Sequence, residues 1–187
     1  MLLLSRSLRC AIFVAWEAAR IFTTTVDIEE DLRRIALQEE RLQFHRFGAS
    51  SAWDLGKRLK EIGEVRKLAI VIDIQLETLP LFYLALQGTT PDNPEWVRRK
   101  RNIVRRFHRS SYAIGLMAKQ QKINLDALDP RDYAPHGGSF PILLSGTGYV
   151  GTITVSGLPQ REDHSLVVET VAGYQGRDLS DIALTLA

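Results

Sequence analysis

The sequence predicts an α+β domain in which helices pack on a single antiparallel sheet of five strands. Three observations carry this expectation. Two pairs of apolar, β-branched runs joined by tight turns read as hairpins, residues 67–76 with 81–86 and residues 140–144 with 150–155. Segments with helical 3–4 spacing fall around and between these hairpins instead of alternating with single strands. With 187 residues, 45% hydrophobic and 25% charged, the chain suits one folded core.

Residues 27–41 read as a helix, with Ile28, Leu32 and Ile35 recurring among many charges. Leu42, Phe44 and Phe47 then switch to alternation, a short strand. Ser50 or Ser51 can cap the next helix, whose Ala52, Leu55, Leu59 and Ile62 form a stripe ending near Gly63. The run of Ile70, Val71, Ile72 and Ile74 is continuous, as in a central strand covered on both faces. A turn at residues 77–80 returns the chain as residues 81–86. Gly88 to Pro94 is a loop, and Asp92 or Asn93 before Pro94 starts a helix on which Trp96, Val97, Lys100, Ile103, Val104 and Phe107 share a face. Ser110 and Ser111 cap a further helix to about Gln121. Residues 124–138 form a long loop, and the Gly146-Thr147-Gly148 turn joins the second hairpin. A last helix covers residues 163–174, with Val167, Val171 and Tyr174 on one side.

Charge separates the chain into a leader and a body. Lys and Arg number 24 against 22 Asp and Glu, a net +2. Residues 1–25 hold Arg6, Arg9 and Arg20 against Glu17, which accounts for the whole surplus, so residues 26–187 form a formally neutral domain. A neutral body has no global field for nucleic acid. The leader, rich in arginine and serine, has the composition of a mitochondrial transit peptide; the plainer alternative is an N-terminal extension on a cytoplasmic domain. Arg6 and Arg9 interrupt its apolar stretches, which argues against a secretory signal. One cysteine, Cys10, cannot build a disulfide framework or a cysteine-rich zinc site, and no apolar run approaches a membrane span. A soluble, intracellular protein is expected.

Three constellations could carry chemistry. The densest is basic: Arg98, Arg99, Lys100, Arg101, Arg105, Arg106, His108 and Arg109 follow Trp96 within a few helical turns. Guanidinium groups in such a stripe can clamp carboxylates or phosphates in a planar fork; equally, they can pair with the acidic helix at residues 27–40, within the chain or across a subunit contact. No aromatic stacking platform accompanies the stripe, which disfavours nucleic acid. The second is His136-Gly137-Gly138-Ser139. The glycines permit unusual backbone angles and close approach of a ligand to main-chain amides, and His136 could act as an acid, a base or a ligand to haem iron; the alternative is a simple bend into the sheet edge. The third runs from Gly157 through Leu158, Pro159, Gln160, Arg161 and Glu162 to Asp163-His164, where a strand ends and the last helix begins and amides attract anions; alternatively Asp163 caps the helix and His164 packs half-buried beside Val167 and Val168. The spacing matches no metal motif, and there is no nucleophile elbow, Walker loop, HExxH or GxGxxG.

These blocks also resemble a known family. Gln38-Glu39 with Leu42 and Phe44, Ala52-Trp53 with Leu55-Gly56, residues 88–93 with Trp96, Arg99-Lys100-Arg101-Asn102, Ser110-Ser111-Tyr112, residues 132–142, residues 151–158 and Asp163-His164 are similar to a small microbial family within the haem-degrading (HbpS/GlcG-like) domain superfamily. The resemblance runs from about residue 28 to 175. It implies a profilin-like α/β/α sandwich that assembles as a dimer or larger ring, and it makes haem a possible cofactor, which would require an apolar slot and an axial ligand such as His136 or His164. The resulting expectation is a homo-oligomeric protein binding a small anionic or tetrapyrrole-like ligand through Trp96, Arg99, Arg101, Arg105, His136, Gly137, Gly138, Ser139, Asp163 and His164. The alternative is a non-enzymatic scaffold or targeting adaptor that uses the arginine helix for protein contacts. Catalysis would demand a buried polar cluster with displaced ionisation.

Overall fold

The computed structural model describes residues 27–184. The leader, including Cys10, and the last three residues lie outside the described residues, so the expectations made for them are not addressed by the fold. In order the elements are α1 (Ile28–Arg41), α2 (Ala49–Val65), β1 (Val71–Leu76), β2 (Leu79–Ala85), α3 (Asp92–Phe107), α4 (Ser111–Lys119), β3 (Ser139–Leu144), β4 (Gly148–Ser156) and α5 (Gln160–Gln175).

Both hairpins form, and β1 and β4 pair to join them into one antiparallel sheet of order β2-β1-β4-β3. The unbroken apolar run places β1 in the interior: Val71 to Ile74 are all buried. Its two faces differ sharply in character. Ile72 and Ile74 join Leu55 and Leu59 of α2 and Val167, Val168 and Val171 of α5 in the main apolar core. Asp73 points to the other face, where it meets Arg101 of α3. Helices therefore cover both sides of the sheet, with α4 packed against α3 and β3 and α1 against α4.

The sheet has four strands, which corrects the expectation of five. The alternating stretch after α1 contributes a single parallel bridge between Phe44 and Leu144, made by Phe44 N–H to Leu143 O (2.8 Å) and Ser145 N–H to Phe44 O (2.9 Å). Leu42 still caps α1 by donating to Gln38, and Gly48 already opens α2, so too few residues remain for a ladder. The alternation serves packing instead: Phe44 is buried against Phe47 and Tyr174 beneath the sheet edge. The cap of α2 is likewise Gly48, and Ser50 and Ser51 lie in its first turn. Ser110 does cap α4, its Oγ accepting from Ala113 N–H.

Candidate functional site

Helical periodicity decides which part of the basic helix faces inward. Val97, Lys100, Ile103 and Val104 are the buried row of α3, so Lys100 is the cation that the 3–4 spacing carries onto the sheet. Its side chain is 4% exposed, and its ammonium donates to Asp163 Oδ2 at 2.6 Å and, more weakly, to Val155 O at 3.4 Å. Asp163 is wholly buried one turn inside α5, and its second oxygen accepts from Leu158 N–H at 3.1 Å. It is a pairing residue, not the helix cap. Desolvation dominates both partners: it raises the Asp163 carboxyl to about 6 and pulls Lys100 below its ordinary value, with the mutual attraction opposing each shift.

The glycine bend closes over this pair. Gly138 has φ +124°, and a Cβ there would lie 2.5 Å from Val155 O and 2.8 Å from the Lys100 ammonium. At Gly137 a Cβ would lie 1.9 Å from Gln160 O, so the bend rests backbone to backbone on the first residue of α5. His136, just before it, reaches solvent and meets the Trp96 ring edge-on at 5.2 Å. Arg99 stacks over the Trp96 ring at 4.1 Å. Partial burial, then the charges of Lys100, Arg99 and Lys119, hold the His136 imidazole below its usual pKa.

These groups border a cleft of about 270 Å³ lined by Asn93, Trp96, Lys100, His136, Ser156, Gly157, Leu158 and Gln160. The basic helix, the glycine-histidine bend and the amino end of α5 thus meet in one place. Trp96, Arg99, His136, Gly137, Gly138 and Asp163 are gathered at or directly beneath it. Asn93, Lys100, Gly157, Leu158 and Gln160 line the cleft although none of them is in the ligand set expected from the sequence, and Ser156 joins them; Lys100 carries a usable signal as the charged residue on an otherwise apolar helix face.

Four of the expected residues lie elsewhere. Arg101 crosses to Asp73 at 2.7 Å, and Arg105 approaches Glu77 at 3.8 Å. Ser139 is buried between Thr154 (Oγ to Oγ1, 2.8 Å) and Ser111 Oγ, which accepts from its amide. His164 is fully buried, not half-buried, beside Tyr112 and Phe140. Gln38 gives its amide N–H to Ile182 O, so its Oε1 accepts from His164 Nε2–H at 2.8 Å. Burial, aided by nearby Arg161, lowers the His164 pKa to about 3. A histidine so depressed stabilises the fold above its unfolded pKa near 6.5, and that contribution is lost as pH falls toward 3. Replacing His164 by Gln is therefore expected to flatten the loss of unfolding free energy between pH 6.5 and 4, measured by urea denaturation across that range.

Haem needs an apolar slot and an axial ligand together. The described residues separate them. His136 borders the small polar cleft, whereas the larger apolar cavity of about 500 Å³, walled by Leu68, Leu158, Pro159, Leu166 and Leu184, holds no His, Cys, Met or Tyr in its lining. One chain's described residues do not fit an enclosed haem. Nor do they gather three or more His, Cys, Asp or Glu as a metal site, and no described helix is long and apolar enough to cross a membrane.

Comparison with known proteins places the whole domain. Residues 47–172 match the family model of the haem-degrading protein HbpS-like domain. A UPF0303 protein of Rhizobium meliloti is 56% identical over 156 residues, covering 82% of this chain and 95% of the relative. The crystal structure of Ybr137w protein superposes with a TM-score of 0.71 at 28% identity, over 79% of this chain and 91% of that one. PduOC, solved as a haem complex, shares the fold with a TM-score of 0.55 at 14% identity, over 65% of this chain and 88% of that one. With the match spanning most of the described domain and its core hairpins, the chain belongs to the HbpS-like haem-degrading family, among its UPF0303 members.

Proposed function

We propose that the cleft binds a small molecule through an anionic group, in a protein that works as a homo-oligomer. The carrying observation is the lining itself: among the described residues it includes Lys100 and no residue that bears a carboxylate. Asp163 takes one of the three ammonium protons and Val155 O a weak second, which leaves one for a ligand. The amino end of α5 adds backbone N–H groups and a favourable dipole, and Arg99 adds a cation at the rim. Trp96 and Leu158 supply apolar walls for the remainder of the ligand. Both Asp163 oxygens are engaged and the residue is buried, so the Lys100–Asp163 pair shapes the cleft instead of meeting a substrate. An adaptor built on the arginines has less support, because Arg98, Arg101 and Arg109 spend their charge on Asp132, Asp73 and Glu39 of the same chain. Haem-binding by PduOC makes a tetrapyrrole worth testing beside simple anions.

Calorimetric titration with inorganic phosphate, benzoate and haemin separates these ligands. Saturable binding of phosphate or benzoate is expected, weakened by about ten-fold in His136→Ala, the loss of one charge-assisted bond. Absence of saturable binding of either anion would refute the reading, and a His136-dependent Soret shift with haemin would replace it with haem binding.

Linkage gives a further check. Partial burial and then the surrounding cations depress the His136 pKa, and a bound anion offsets the cations, so the imidazole's NMR titration should move upward on ligand addition. By the same linkage, anion affinity should rise as pH falls from 7.5 to about 5.5.

A further inference from the structure

The start of α3 carries a polar side chain whose direction is settled by its partners. Asn93 Oδ1 accepts from Thr90 N–H at 2.8 Å and from the Thr90 hydroxyl at 3.2 Å, as a capping side chain reaches back to the amides ahead of its helix. The Thr90 amide can only donate, so the atom facing it is the oxygen, and the Asn93 amide nitrogen is turned the other way. There it meets Ser156 O at 3.5 Å, the outer limit of a hydrogen bond, and both residues line the cleft. One of its two N–H groups is thus held weakly, and the other has no partner among the described residues. The loop behind it is fastened as well: the Thr89 hydroxyl donates to Leu86 O at 2.8 Å, and Asn93 N–H donates to Thr90 O at 3.0 Å. The stretch from Gly88 to Asn93 therefore fixes a neutral donor in the cleft wall.

Asn93 belongs to a row. Asn93, Trp96 and Lys100 stand three and four residues apart, so α3 presents them on one face, and all three line the cleft. The seven residues between the polar ends of this row span about 10 Å along the helix axis. A long helical side chain such as that of Lys100 leans toward the amino end, which narrows the gap. Trp96 lies between, held by Arg99 over its ring at 4.1 Å and by His136 at 5.2 Å. Along its length the row offers a neutral donor, a flat apolar surface and a cation.

We infer that Asn93 determines specificity in this cleft by donating to an uncharged carbonyl oxygen on the ligand, at the end remote from its anionic group. The ligand class is then a flat, elongated carboxylate that ends in a ketone or amide carbonyl. This rests on the reading of the cleft as an anion site and adds the second recognition element to it. Asn93 selects an acceptor because its own oxygen is engaged by Thr90, which leaves only N–H groups on the cleft side. It selects a neutral one because Asp92 and Glu95, in the same first turn of α3, oppose a second anion at that end. The Trp96 surface sets the flat middle of the ligand, and the length of the row places the two recognised groups at opposite ends of it.

Calorimetry on the full chain with 4-acetylbenzoate and 4-isopropylbenzoate tests this. The two probes have nearly the same shape, and only the first carries an acceptor opposite its carboxylate. The natural chain should bind the acetyl probe about five- to ten-fold more tightly, the effect of one neutral hydrogen bond. In Asn93→Ala that preference should disappear. Asn93→Asp keeps the acceptor that Thr90 needs and replaces the donor by an oxygen, so it gives the same result in a chain whose helix start is intact. A natural chain that binds both probes equally, or either variant retaining the preference, overturns the inference and leaves the anion site standing. If neither these benzoates nor phosphate binds, the anion site itself falls, and the inference falls with it.

Discussion

Lys100→Met is expected to destabilise the fold by about 3–5 kcal/mol, read as a lower midpoint in urea with an unchanged slope. The size of the effect comes from what is left behind. Asp163 is wholly buried, so removing the ammonium 2.6 Å away strands a carboxylate where water cannot reach it. Asp163→Asn should cost less, since the amide carries no charge and still accepts from Leu158 N–H, though it leaves the lysine ion without its partner. Replacing both groups, Lys100→Met with Asp163→Leu, should recover most of the loss, because a buried pair seldom outperforms two apolar groups of similar volume. The pH dependence has a definite sign. Asp163 already has a folded pKa raised to about 6, and losing Lys100 raises it further. An acid with a raised folded pKa adds stability below its unfolded value, and the contribution disappears as pH climbs through the folded one. The deficit of Lys100→Met should therefore shrink as pH is lowered from 8 to 5. A deficit constant across that range would mean that the carboxylate is not the group responsible.

How far the sequence reveals this arrangement depends on the kind of information each residue carries. Periodicity carries burial, so β1, both hairpins and the inward row of α3 were legible: a run such as Val71 to Ile74 has few other places to go. The same pattern misleads at Phe44, where alternation reports a buried aromatic but not the absence of a ladder partner. Charge partners are decided by topology. Nothing local distinguishes Arg101, bound to Asp73, from Arg99, stacked on Trp96, because those partners arrive from a strand 28 residues upstream in one case and from three residues away in the other. His164 shows the converse: its neighbours Val167 and Val168 marked an inward face, yet its binding partner Gln38 comes from α1, 126 residues distant. Lys100 was written into the pattern most plainly, as a cation inside an apolar row, and its meaning appeared only when β4 and α5 supplied Val155 and Asp163.

Gly137→Ala should separate the cleft from the fold. A Cβ at this position would stand 1.9 Å from Gln160 O, a backbone atom at the start of α5 that cannot rotate aside. Either the bend or the helix end must move, at a cost of about 1–3 kcal/mol for overpacking. Gly138→Ala adds a strained angle to a similar clash, since φ +124° is a region that side chains avoid, and should lose about 1–3 kcal/mol more. Gly173→Ala, inside the same helix with nothing within 4 Å of the new atom, is the control and should instead gain about 0.4–1 kcal/mol. The functional consequence differs from the energetic one. Displacing the bend from α5 moves His136 relative to Trp96 and Lys100, and misplacement by about 1 Å is enough to spoil a bound geometry. Anion affinity in Gly137→Ala should accordingly fall by about ten-fold or more at temperatures where the variant remains folded. A Gly137→Ala variant that loses stability yet binds phosphate or benzoate as tightly as the natural chain would place the ligand outside the space between the bend and the helix.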